Sequence, residues 1–374
     1  MGKSGRHVVQ LIPTLNRIGG AERQLLLLSR ELHRRGWQVS VVTLSGDGGD
    51  VVTELCRDGI AYHSLKMRHS LLDVRGWWRW VHWLLRERPE IVHAHLPHAL
   101  WISRWSRLFM RYPRRVDTLH TPAVGPWSRK LAFALTRSLP HHTTAVSKAV
   151  EDAFLAHRLV RAERLGVLPN AVDCGAWKPD QEERAIQRRK LQIRDEFVWL
   201  AVGRLEPVKD FSLLLSAFAE LPNNCVLYVV GSGPLEAELR AQAWLSRLNE
   251  RVRFPGFQSN LLPWMLAADG FVLSSRWEGL PMALLEASAC GVPSVTVDLP
   301  GAREVVADEP CDAISGRDAA ALSHAMLQLM QCPAAERIAM GLRARERVLT
   351  NFSVDAVLTQ WEHLYLTLIS ELTR

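Results

Sequence analysis

The chain has 374 residues, 48% of them hydrophobic and 23% charged. That length exceeds what one hydrophobic core usually supports and points to two domains, while the average apolar and charged fractions exclude a disordered or fibrous chain and the lack of an uncharged apolar run of about 18 residues excludes a spanning helix. The formal charge of +7 is unevenly spread, with +12 over residues 1–177 and −5 over residues 178–374, so the first half is expected to meet an anionic partner: a membrane surface, a phosphorylated substrate or a nucleic acid.

In chain order, the start carries no signal-peptide pattern. Gly2 lacks the downstream Ser or Thr of a myristoylation signal, and Gly2-Lys3-Ser4 lacks the upstream glycine and strand of a P-loop. HVVQLI (7–12) reads as a first strand, followed by amphipathic AERQLLLLSRELHRRG (21–36), QVSVVTL (38–44), and later EIVHAHL (90–96), VDTLHT (116–121) and HTTAV (142–146), with helical segments between them. β-branched runs alternating with helices predict a parallel sheet covered on both faces. Two of its helices invite a further question. RGWWRWVHWLLRER (75–88) sets Trp77, Trp80 and Leu84 together and Arg79 and Arg86 apart; the next places Trp101, Trp105, Leu108 and Tyr112 on one side and Arg104, Arg107 and Arg111 on the other. Such helices either cover a sheet and expose their arginines, or lie in a membrane interface with the arginines on anionic lipid. Taken with the +12 balance, Arg104, Arg107 and Arg111 become candidate membrane or acceptor contacts.

VLPNAVDCGAWKPDQEERAIQRRKLQIRDE (167–196), with Pro, Asn and Gly followed by dense charge, reads as a linker, with a boundary near Trp177. The alternation then resumes: EFVWLAVG (196–203), a helix from about Phe211, CVLYVVG (225–231), a helix from about Leu235, RVRFPGF (251–257), GFVLSS (270–275), a helix over 282–290 between Pro281 and Gly291, and PSVTV (293–297). Two doubly wound α/β domains, 1–177 and 178–352, are predicted, with a last helix over 353–374 that places Trp361, Leu364, Leu368 and Leu372 at three- and four-residue spacing. The six cysteines show no zinc or redox spacing, as in a reducing cytoplasm.

Ligands of parallel sheets bind outside the carboxyl ends of strands, against the first turn of the next helix. Gly19 and Gly20 after the first strand, VGRLEPVK (202–209) and VVGSGPLEAEL (229–239) occupy such places, although none is a full dinucleotide-binding motif. Arg204 and Lys209 stand between a strand end and a helix start, where two cations either neutralise a diphosphate or are solvated surface charge. His120 closes a strand and is either a donor to a substrate hydroxyl or phosphate, or a satisfied imidazole. Glu286 is a carboxylate in the middle of an apolar helix, costly unless it is paired or hydrogen-bonded, and Glu278 stands in the loop before it. No Asp-x-Asp, His-Glu-x-x-His or clustered metal ligands are present, so no metal and no cofactor is expected and bound phosphates would be met by protein cations.

Glu278-GLPMALL-Glu286, with GGAER, VSKAV, LPNAVD, GRLEPVK, GSGP and GARE in this order, resembles the retaining, nucleotide-sugar-dependent glycosyltransferases of family 4, or group 1, over nearly the whole chain. The resemblance implies a GT-B fold, two Rossmann-like domains facing across a cleft, the first binding acceptor and the second nucleotide sugar, with the last helix crossing back to the first. It implies that Glu278 faces the donor sugar near the reacting centre and Glu286 holds the ribose hydroxyls, while Gly279, Leu280 and Pro281 bring backbone to the sugar. Arg204 and Lys209 become the clamp on the donor diphosphate, Gly20 lies beneath that diphosphate, His120 touches the sugar or its phosphate, and Gly256 and Phe257 meet the base. Asp210 departs from the pattern, since many relatives carry glycine after the lysine. The implied partners are a nucleotide-sugar donor, UDP-linked by family habit, and a glycan or lipid-linked acceptor of cell-surface polysaccharide synthesis; the implied place is the cytoplasm, peripheral on the membrane. Two rivals remain: a sugar-nucleotide epimerase of the same architecture, which needs no acceptor, and a nucleic-acid binder, which leaves both glutamates unexplained and for which no recognised motif is present.

Overall fold

The structure, a computed structural model, describes residues 6–16, 19–68, 73–110, 112–306 and 313–371. Two compact units divide the chain: one runs to Ala171 and includes the segment from Val354, the other is Val172–Ser353.

In the first unit the chain alternates β1 (His7–Ile12), α1 (Gly20–Arg34), β2 (Gln38–Thr43), α2 (Gly49–Arg57), β3 (Ala61–Ser64), α3 (Val74–Glu87), β4 (Ile91–His95), α4 (Pro97–Ser106), β5 (Arg114–Leu119), α5 (Trp127–Thr136), β6 (His142–Ala145), α6 (Lys148–Ala156) and β7 (Leu165–Val167). The strands form one parallel sheet in the order β3-β2-β1-β4-β5-β6-β7. Strands covered on both faces read as near-continuous apolar runs, and β1 is buried at all six positions. The order reverses between β1 and β4, which is the switch point of this sheet.

The second unit contains α7 (Gln181–Lys190), β8 (Phe197–Val202), α8 (Phe211–Ala219), β9 (Cys225–Val230), α9 (Glu236–Leu245), β10 (Val252–Gly256), α10 (Leu262–Ala267), β11 (Gly270–Leu273), α11 (Met282–Ala289), β12 (Ser294–Val297), α12 (Pro300–Arg303), β13 (Ala313–Ser315), α13 (Ala319–Gln331) and α14 (Ala334–Asn351). Its parallel sheet has the order β10-β9-β8-β11-β12-β13, with the switch point between β8 and β11. The chain returns to the first unit as α15 (Val354–Ser370). There Trp361, Tyr365 and Leu368 join the core formed with Leu25, Leu32 and Trp37, and Arg35 pairs with Glu362 at 2.6 Å.

Three sequence expectations are corrected. The unit boundary falls at Ala171/Val172 and not near Trp177. Val172 pairs in parallel with Ser353 and its N–H donates to the Phe352 carbonyl at 2.8 Å, which ties the start of the second unit to its end. The charged stretch read as linker contains α7, capped by the Asp180 carboxylate accepting from the Glu183 N–H at 3.0 Å, with acids in its first turn and bases in its last. Arg184 and Arg188 of α7 both pair with Asp269, at 2.5 and 2.8 Å, so its charge is structural. Finally, the arginines of α4 do not face outward. Arg104 is fully buried against Asp117 at 2.6 Å, and Arg107 donates to the carbonyls of Ser138 and Leu139. Trp105, Leu108 and Phe109 are the exposed side chains, because the guanidinium of Arg104 is the group with a buried carboxylate to meet. Arg111 lies outside the described residues, as do Arg17 and Leu372. In α3, Trp80 and Leu84 face the core, so that helix covers the sheet.

Candidate active site

The site of the second unit is built from three loops at the carboxyl ends of β8, β9 and β11. After β8 the chain runs through Arg204 and a single 3-10 turn, Pro207–Lys209, to Asp210, whose φ of 49° and ψ of 43° are left-handed. That is a conformation for which glycine is the least costly residue and Asp among the better tolerated. It accounts for the departure at Asp210: the residue takes the backbone shape of a glycine, and its carboxylate is held by Arg276 at 2.9 Å. The loop after β11 is stitched to the same turn, with the Arg276 N–H donating to the Val208 carbonyl at 2.7 Å and the Ser274 hydroxyl to the Lys209 carbonyl at 2.8 Å.

These bonds bring Lys209 and Glu278 together. Lys209 Nζ lies 2.5 Å from Glu278 Oε1, and the Ser275 hydroxyl donates to the same oxygen at 2.7 Å. A cation and an anion therefore meet at the sheet's switch point, the place where ligands of open α/β sheets bind. Arg204 is on the same β8 loop but pairs with Glu206 at 2.6 Å and is more than half exposed. Glu286 is buried on α11 at 3% exposure. That helix starts after Pro281, whose missing N–H costs nothing there, and ends before Gly291 at φ 72°.

Glycines set how closely the loops pack. A Cβ on Gly231 would sit 1.9 Å from the Gly203 carbonyl oxygen, and one on Gly233 2.5 Å from that of Leu205. The GSGP stretch thus presses the β9 loop onto the β8 loop and is explained by packing. On α12, a Cβ at Gly301 would lie 2.3 Å from the Gly279 oxygen and 3.0 Å from that of Glu278, so this glycine seats the Glu278 loop. Gly256 closes β10 at φ 76° and Phe257 beside it is exposed.

In the first unit, Gly19 precedes α1 and its N–H donates to the Glu22 carboxylate at 3.0 Å, and Gly20 opens the helix. His120 follows β5, half-buried, with Nε2 at 3.0 Å from His95 Nδ1. Packing pulls its pKa down to about 4, so this imidazole is neutral at physiological pH. Sequence reasoning assigned no role to Ser275, Arg276, Gly301 or His95. The histidine was within reach: His93 and His95 alternate along β4 and so face the same side of the sheet. Ser275 and Arg276 act only through a fold-back of the β11 loop that no periodicity encodes.

Residues 183–347 match the family model of glycosyl transferases group 1, and residues 18–175 match that of glycosyltransferase family 4. The chain belongs to this glycosyltransferase family. It is 28% identical over 351 residues to the lipopolysaccharide core biosynthesis glycosyltransferase LpsD of Rhizobium meliloti, covering 93% of this chain and 95% of LpsD. It is 26% identical over 277 residues to the UDP-Gal:alpha-D-GlcNAc-diphosphoundecaprenol alpha-1,3-galactosyltransferase of Escherichia coli, covering 69% and 68% of the two chains. Among solved structures, Anabaena Alr3699/HepE in complex with UDP-glucose superposes with a TM-score of 0.86 at 21% identity over 96% of this chain and 99% of its own. The fold is GT-B, and the protein is a glycosyltransferase similar to enzymes of bacterial surface polysaccharides.

Proposed function

We propose that the protein transfers a hexose, with retained anomeric configuration, from a UDP-linked donor to a glycan or lipid-linked acceptor in bacterial cell-surface polysaccharide synthesis. The observation that carries this reading is the Lys209–Glu278 pair at the switch point of the second sheet. An arriving diphosphate competes with Glu278 for Lys209, and phosphate oxygens form short, strong bonds to an ammonium. Arg204, exposed on the same loop, adds a second cation, and the two would supply the charge that a metal supplies elsewhere. Glu278, released toward the sugar, accepts its hydroxyls, and buried Glu286 accepts the ribose hydroxyls, which offsets the cost of a carboxylate in an apolar helix. Gly279, Leu280 and Pro281 offer backbone to the sugar; Gly256 and Phe257 serve the base; Gly19, Gly20 and His120 of the first unit are further candidates for contact with substrate. UDP as the nucleotide is supported by the UDP-galactose donor of the Escherichia coli relative and by the UDP-glucose complex of the similar structure.

Thermal stabilisation by a panel of nucleotide sugars tests the donor. A UDP-linked sugar at about 100 times its Kd should stabilise its unit by about 2.7 kcal/mol. Stabilisation by GDP- or ADP-linked sugars alone would overturn the UDP assignment.

We also propose that the first unit rests on an anionic bilayer through α4 and α5, and does so by apolar side chains. The two helices are neighbours, with the Trp101 and Phe133 rings 6.2 Å apart. Together with the turn that follows α4 they present Trp105, Leu108, Phe109, Trp127, Leu131 and Leu135 to solvent, with Phe109 and Trp127 77% and 76% exposed. Between Glu90 and Glu151 the chain has nine Lys+Arg and one acid, the buried Asp117, so the face offers nothing to repel anionic headgroups. No described helix is long and apolar enough to cross a membrane. In flotation with phosphatidylglycerol vesicles, the protein is expected to float at low salt, and Trp127→Ser with Leu131→Ser to weaken binding roughly tenfold or more. Wild-type protein left in the soluble fraction would refute this surface.

A further inference from the structure

A chain of polar groups buried in the first unit fixes which ring nitrogen of His120 carries the proton. Thr144 Oγ1 reaches the Asp117 carbonyl at 3.2 Å and Thr118 Oγ1 at 2.7 Å. A carbonyl only accepts, so Thr144 donates to it and must accept from Thr118. Thr118, its proton committed, accepts in turn from His93 Nε2–H at 2.6 Å. The neutral His93 ring then presents Nδ1 as an acceptor, and the Tyr365 hydroxyl donates to it at 2.7 Å. Tyr365 is thereby left with an oxygen that can only accept. Gln10 turns its amide Oε1 toward His95 Nε2 at 2.8 Å, and its own buried Nε2 has no hydrogen-bond partner among the described residues. His95 therefore donates from Nε2, and its Nδ1 is a lone pair. The 3.0 Å contact to His120 is filled by His120 Nε2–H. The reverse ordering would forgo the hydrogen bond from Thr144 to the Asp117 carbonyl. Burial holds both His93 and His95 well below the ordinary imidazole range, in keeping with neutral rings.

We propose that His95 and Gln10 are positioning residues that hold His120 as the Nε2–H tautomer, so that its Nδ1 lone pair is presented for a hydroxyl group of the substrate and not for a phosphate oxygen. Nδ1 has no partner among the described residues, and His120 is only half-buried. A lone pair accepts a sugar hydroxyl and repels a phosphate oxygen, which brings no proton to the contact. This deepens the glycosyl-transfer reading, resting on it for the identity of the hydroxyl, while the tautomer itself is a property of the unliganded chain.

The test is a long-range 1H–15N correlation spectrum of the full chain, labelled with 15N-histidine, at neutral pH without donor; His120 is assigned by the signals lost in His120→Asn. Protonated Nε2 with bare Nδ1 is expected at His120. Protonation at Nδ1, or at both nitrogens, would overturn the proposal whatever the protein transfers. Gln10→Leu removes the acceptor for His95 and is expected to convert His120 to a mixture of tautomers, whereas Gln10→Glu keeps an acceptor there and should preserve the single form. An unchanged His120 pattern in folded Gln10→Leu would remove Gln10 and His95 from the role; if that variant does not fold, the wild-type and Gln10→Glu spectra decide.

Discussion

Lys209→Ala is expected to lower kcat/KM for sugar transfer by about 10²–10³, the usual loss when one charge-stabilising group is removed from a reacting centre. Its ammonium sits 2.5 Å from Glu278, and the side chain is about one-fifth exposed, so it is held in place before any donor arrives. Positions fixed in advance cost no reorganisation when negative charge develops on the leaving diphosphate. Removing the lysine also leaves Glu278 with the Ser275 hydroxyl as its remaining hydrogen-bond donor in this pair of loops, which complicates a single substitution. Glu278→Gln and the double variant separate the two effects. If Lys209 acts only by neutralising Glu278, the double variant should be no slower than Glu278→Gln alone; if it meets the diphosphate, the double variant should be slower than Glu278→Gln by about the same factor that Lys209→Ala costs on its own. Arg204→Ala, which breaks only an exposed pair with Glu206, should leave the fold unchanged, so its kinetic loss reports on donor binding directly. Near-normal transfer by both Lys209→Ala and Arg204→Ala, measured with the donor identified by thermal stabilisation, would remove the clamp from the mechanism.

The strands were the most legible part of the sequence, since a sheet covered on both faces demands unbroken apolar runs such as HVVQLI and CVLYVV. What escaped were the short edge strands β3, β7 and β13; the residues of the first two are half-exposed or exposed and carry no such run, and the third is three residues long. The α7 helix escaped for a different reason. Its charge looked like solvation, yet Asp180 before two glutamates, with Arg188 to Lys190 at the end, is a capped helix with charges matched to its dipole. Site residues were legible where a side chain stands alone against its surroundings, as Glu286 does in an apolar helix. They were illegible where the role depends on which loop folds over which: Ser275 on Glu278, Gly301 under the Glu278 loop, and His95 behind His120 are all set by tertiary contacts between segments far apart or by a backbone turn.

Arg104 shows how a periodic pattern can be read with the wrong side facing out, and it carries the largest expected effect on stability. Apolar residues of a helix normally turn inward, but α4 packs over the strand that bears Asp117, and a buried carboxylate there costs far more than exposed tryptophan. Arg104 meets it at 2.6 Å with both side chains fully buried; its Nη1 donates to Thr136 at 2.8 Å and its guanidinium lies 4.9 Å from the Phe133 ring. Arg104→Met or Asp117→Leu alone strands one charge in the interior, and each is expected to cost about 3–5 kcal/mol in urea unfolding of the first unit. The pair is itself imperfect, since Arg104 Nη2 and Asp117 Oδ1 are buried without a partner among the described residues. Replacing both at once should therefore return stability to near the wild-type value, or above it, as happens when apolar side chains of similar volume take over a buried ion pair. Single substitutions costing less than about 1 kcal/mol would mean that water reaches the pair, the range seen for exposed ion pairs. The double variant, if folded, should bind anionic vesicles as wild type does, because the apolar side chains that face outward from α4 and α5 are unchanged; a loss of binding would return Arg104 to the membrane surface from which its burial removes it.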